Sequence, residues 1–199
     1  MIALSATVPM PLSKAQRALL LKLARRSIET GLQQHRPPVV EAAEHPPFDR
    51  PGASFVTLHR QGALRGCIGS LEAHRPLLQD VAANAYAAAF HDPRFTPLQP
   101  QELDDLFIDV SILSAPEALS FDSEQALIGQ IHPGVDGLIL EEGSRRGTFL
   151  PSVWESLPDK VDFLRQLKLK AGLPPDYWSD SLKAWRYTTE SFGDEDASA

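Results

Sequence analysis

One cysteine, Cys67, is all the thiol chemistry that this 199-residue chain contains. A single cysteine makes no disulfide within the chain, so a fold held by packing in a reducing, cytoplasmic setting is expected. Basic residues are also scarce: 19 Lys and Arg stand against 26 Asp and Glu, a formal net charge of −7. That argues against nucleic acid as the main partner, because phosphate binding is driven by clustered cations. The pairs Arg25-Arg26 and Arg145-Arg146 read as solvated faces. No apolar run approaches the roughly 20 residues that cross a bilayer, so no membrane span is expected. The first basic residue, Lys14, follows the mildly apolar start, whereas a signal peptide carries its basic residues ahead, so no targeting segment is expected. There is no Walker motif, no G-x-G-x-x-G and no G-x-S-x-G, and the six histidines never fall at H-x-x-x-H spacing. No metal site is expected, and no cofactor is indicated.

What is present is the composition of an ordinary globular protein, 43% hydrophobic and 23% charged. Residues 1–12 read as an N-terminal arm. Ser13 with Gln16 forms a capping-box pattern, and Leu20, Leu23, Ala24 and Ile28 then share a helical face that Gly31 is expected to end. Five of the 17 prolines lie in residues 35–53, a loop. Residues 54–60 and 63–70 read as a hairpin about Gln61-Gly62. An alanine-rich helix follows from Pro76 to His91-Asp92-Pro93. Leu106–Leu113 alternates as a strand, with Phe107, Asp109 and Ser111 on its exposed face. Further expectations are a short helix over 123–130, a hairpin over 137–149, helices over 151–157 and 159–170, and a closing strand over 182–189. Residues 13–190 form the main body, and 191–199 an acidic tail without order. Helices interspersed with antiparallel hairpins, and no β-α-β rhythm, predict an α+β fold.

The candidate chemistry gathers at Leu64-Arg65-Gly66-Cys67-Ile68-Gly69. With Gln61-Gly62 as the turn, Leu58 is expected opposite Arg65 and Val56 opposite Cys67. Arg65 and Cys67 then share one strand face and His59 takes the other. A cation beside a thiol favours the reactive thiolate, so Cys67 is a candidate nucleophile or redox thiol; alternatively it packs as a small hydrophobe. The Arg65 fork would hold the carboxylate or phosphate of a small anionic ligand, or form an ion pair with Asp92 or Asp109. Gly66 and Gly69 would let a ligand or another backbone approach closely. Asn84, mid-helix among alanines, either faces solvent or bonds the neighbouring strand. Asp92 and Arg94 would rim a pocket or fasten the helix stop.

These motifs together resemble the AMMECR domain family, the AmmeMemoRadiSam system protein A of microbes. The stretch Phe55–Ser70 resembles its signature. Further matches follow in order: Asp80-Val81 with Asn84-Ala85, Asp92–Phe95, Asp109–Ser114, Gly137–Leu140, Phe149-Leu150-Pro151 with Trp154, Lys170–Leu173, and Tyr177-Trp178. The resemblance covers about residues 13–187. It implies two intimate lobes with a cleft, the hexamer near that cleft, and genomic association with a Memo-like protein and a radical SAM protein. It implies no established reaction. Two features depart from the family pattern: Ser152 stands where many members have glutamine, and Leu167-Lys168 where many archaeal-type members carry a second cysteine. A two-cysteine mechanism within one chain is thereby excluded. Two functions follow as expectations. One is an accessory or enzyme-like subunit working with the Memo-like and radical SAM proteins, with a small-molecule or partner site at Leu64–Gly69. The alternative is a small-molecule enzyme with Cys67 as nucleophile and Arg65 as anion binder, its pocket shaped by Asn84, Asp92 and Arg94.

Overall fold

A computed structural model describes residues 10–194. The chain runs α1 (Lys14–Gln34), β1 (Pro51–Arg60), β2 (Ala63–Gly69), β3 (Arg75–Pro76), α2 (Leu77–Phe90) and β4 (Leu106–Leu113). It continues through β5 (Glu117–Ala118), α3 (Glu124–Gln130), β6 (Gly137–Glu142), β7 (Arg145–Phe149), α4 (Lys160–Lys170), β8 (Lys183–Tyr187) and β9 (Thr189–Gly193). The fold is α+β. It divides into two units: the chain up to Ser114 together with the segment from Glu190, and Ala115–Thr189.

In the first unit the strand order is β2-β1-β4-β9, with β3 paired to the start of β1. The alternation in β4 sends Leu106, Ile108, Val110 and Ile112 into the core. There they meet Val56 and Leu58 of β1 and residues of α1 and α2 such as Leu20, Ile28, Val81 and Ala85. Each fully buried aliphatic side chain contributes about 1.5–3 kcal/mol, so this face fixes the register of the sheet. α1 begins in the expected capping box at Ser13 but does not stop at Gly31; it ends at His35, whose φ is 56°. Gly31 is needed for another reason. A Cβ there would overlap the rings of Phe90 and Tyr86, so the glycine lets α1 lie close against α2.

The first hairpin forms where expected. Gln61 and Gly62 have φ of 52° and 75°, as a two-residue hairpin turn with both residues left-handed requires. Its register, however, differs from simple alternation. A bulge lies between Leu58 and His59: Gly66 faces Leu58, Leu64 faces His59, and Arg65 is the extra residue. Val56 therefore pairs with Ile68 and Thr57 with Cys67. The slip of one residue exchanges faces. Cys67 joins Thr57 and His59, not Val56, so the expectation that His59 lies on the opposite face from Cys67 is overturned.

The second unit has the order β5-β8-β6-β7. Trp154 stacks on Phe163 with ring centroids 3.7 Å apart, and Asp159 caps α4 by accepting from the amides of Val161 and Asp162. Residues 151–155 form a 3-10 turn in place of the expected helix. The expected closing strand is split into β8 and β9, and β9 carries the chain through Ser191–Gly193 back to the first sheet beside β4. The N-terminal arm up to Pro9 and the last five residues of the acidic tail lie outside the described residues.

Candidate functional site

β2 is an edge strand, and the outward backbone groups of an edge are open to unwanted pairing. At Cys67 both groups are occupied. Its N–H donates to Asp92 Oδ2 at 2.8 Å, and its carbonyl accepts from Arg94 Nη2 at 3.3 Å. Asp92 is 4% exposed and also accepts from Arg94 Nε and Nη2 at 3.0 and 2.7 Å. The Arg94 guanidinium, followed by the Cys67 amide, holds the Asp92 carboxyl well below the usual carboxylate range, against its burial. The turn after α2 thus stands in for a neighbouring strand. The sulfur completes the junction: the Thr57 hydroxyl donates to Cys67 Sγ at 3.3 Å, and the thiol is half-buried. Asp92 raises the Arg94 pKa first, and the Cys67 side chain beside it adds to that.

Arg65, bulged out of the ladder, has a different set of partners. Its Nε and Nη2 donate to the two oxygens of Glu102 at 2.8 and 3.0 Å, and Nη2 also donates to the Thr96 carbonyl at 2.9 Å. The side chain is 12% exposed, and its Nη1 is buried with no hydrogen-bond partner among the described residues. The ion pair joins Arg65 to Glu102, not to Asp92 or Asp109. Arg65 and Arg94 both approach Phe95: their guanidinium carbons lie 5.8 and 5.5 Å from its ring centroid.

Arg65, then the Gln99 amide, hold Glu102 at about 2, against an ordinary value of 4.5. A carboxyl depressed in the folded state contributes stability above its unfolded pKa and loses it as pH falls through the folded one. Glu102 therefore stabilises the fold fully above pH 4.5 and loses that contribution as pH falls toward 2. Wild-type unfolding free energy is expected to drop across this window. Glu102→Gln, which cannot ionise, should be less stable at neutral pH and show a flatter profile. Urea titrations at steps through the window measure both; parallel profiles would contradict the assignment.

Asn84 bonds the neighbouring strand. Its Nδ2 donates to the Ser54 carbonyl and hydroxyl at 3.0 and 3.1 Å and to Asp80 at 2.9 Å, with a longer contact to Ser70. The glycines are filled from inside the protein. A Cβ at Gly66 would overlap the Ala88 carbonyl of α2, and one at Gly69 the ring of Phe55. Asp92, Arg94 and Cys67 are thus brought into one junction, Arg65 into a second with Glu102, and Asn84 into a third with Asp80. Glu102 and Asp80 carry two of these junctions and were not among the sequence candidates. The capping-box spacing of Gln99 and Glu102 was the available signal for the first.

The outer face of the first sheet is arranged in cross-strand rows. Cys67, Thr57 and Asp109 are directly opposite one another, as are Leu64, His59 and Phe107. His59 Nδ1 lies 2.9 Å from Asp109 Oδ2. Leu64 and Phe107 are 41% and 45% exposed, although both are large and apolar. Among the described residues no group of three or more His, Cys, Asp or Glu is placed to hold a metal ion. None of their helices is long and apolar enough to cross a membrane.

The AMMECR1 family profile matches residues 21–192. The chain belongs to the AMMECR1 family. A protein of Methanothermobacter thermautotrophicus is 38% identical over 191 residues, covering 93% of this chain and 97% of that one. One from Thermotoga maritima is 40% identical over 177 residues, covering 86% and 95%. The crystal structure of the uncharacterized protein PH0010 from Pyrococcus horikoshii has a TM-score of 0.78 at 35% identity, covering 90% of this chain and 91% of that chain. Lys168 of this AMMECR1 chain lies in α4. It is fully buried in the second unit, where its Nζ donates to Glu124 Oε1 at 2.7 Å and ties α4 to α3.

Proposed function

We propose that this AMMECR1 protein is an accessory module, and that the outer sheet face beside the Leu64–Gly69 motif docks a protein partner. The observation that carries this proposal is the exposed row Leu64–His59–Phe107, displayed beside a segment that Arg65 fastens to Glu102 and Cys67 to Asp92 and Arg94. A segment held by Asp92 and Glu102 is pre-organised, and a pre-organised surface loses less freedom on binding. The partner classes are a Memo-like protein and a radical SAM protein, the genomic company that the family resemblance implies. Affinity capture under anaerobic conditions tests the proposal. Tagged wild type is expected to retain one of these partners. The double variant Leu64→Asp, Phe107→Asp should weaken capture about tenfold or more while melting like wild type, as loss of a central anchor does. Retention of neither partner, or capture unaffected by the double variant, would overturn it.

The second reading is small-molecule chemistry at Cys67. One observation favours it: the half-buried sulfur accepts from the Thr57 hydroxyl, and the Arg94 guanidinium bonds the carbonyl of the same residue. Arg65, the anion binder in that scheme, already spends its fork on Glu102. Alkylation of Cys67 by iodoacetamide separates the two readings. Chemistry at the thiol requires faster reaction at neutral pH in the folded chain than in urea; a scaffold role requires slower.

A further inference from the structure

We draw no further inference here: the strongest candidate, the cavity of about 280 Å³ at the β6–β7 turn lined by Glu141, Glu142, Gly143, Ser181 and Lys183, rests on an acidic pair, and nothing in the structure shows what occupies it.

Discussion

Asp80→Ala is expected to be the most destabilising single substitution in the first unit. Asp80 is 1% exposed and accepts from five donors: the Ser54 amide and hydroxyl, the Ser70 hydroxyl, Arg75 Nε and Asn84 Nδ2. These donors come from β1, the residue after β2, β3 and α2 itself, so one carboxylate ties four chain segments. Removing it leaves the buried Ser54 amide and hydroxyl without this acceptor and takes one of the acceptors of Asn84, whereas Arg75, 42% exposed, turns to solvent. Leaving a buried donor unsatisfied costs about 1–3 kcal/mol, and Ser54 has two such donors on Asp80. That is a large part of a total of about 5–15 kcal/mol. In a chain of this size it lowers the melting temperature by roughly 5–20 °C. Far-UV circular dichroism is the suitable probe, because all three tryptophans lie in the second unit. Asp80→Asn keeps the volume and one good acceptor and should lose about half as much. A melting temperature unchanged by the alanine substitution would contradict this account of the network.

Gly66→Ala is expected to follow closely, through sterics alone. The new methyl group would overlap the Ala88 carbonyl, a backbone group inside α2 that no rotamer change can move. Relief requires α2 to shift from β2, and the same shift loosens Asp92, four residues further on, from the Cys67 amide. Overpacking of this kind costs about 3 kcal/mol. Gly69→Ala is the internal control. Its methyl group would meet the Phe55 side chain on the outer face, which can turn aside, so the expected cost is about 1 kcal/mol. Urea midpoints give the order directly, and a larger loss for Gly69→Ala would contradict the assignment.

Local chemistry made much of this legible in the chain. The Ser13-Gln16 box, the Gln61-Gly62 turn and the alternation of Leu106–Leu113 each need only neighbours in sequence, and each stands as expected. What was not legible depends on distant partners. A bulge has no composition of its own, so nothing in Leu64–Gly69 announced that Arg65 would leave the ladder. That single insertion moved Cys67 onto the His59 face. Gly31 looked like a helix stop because the rings it accommodates lie 55 and 59 residues away, at Tyr86 and Phe90. The same holds at the candidate site. Arg65 pairs with a residue 37 positions on, and the Asp92 turn reaches back 25 positions to Cys67. Asn84 was readable as one of two alternatives, since a polar side chain among alanines must either face water or find a partner; Ser54 and Asp80 decide between them.

Leu64–Gly69 is fastened at its open edge, where Asp92 and Arg94 bond Cys67. Hydrogen exchange at the Cys67 amide tests it most directly. An outward amide on a bare edge strand exchanges freely, whereas one donating to a buried carboxylate is protected. Wild type is expected to protect the Cys67 amide, and Asp92→Ala to release it while the amides between β1 and β4 stay protected. Fast exchange at Cys67 in wild type, or protection that survives Asp92→Ala, would contradict the account.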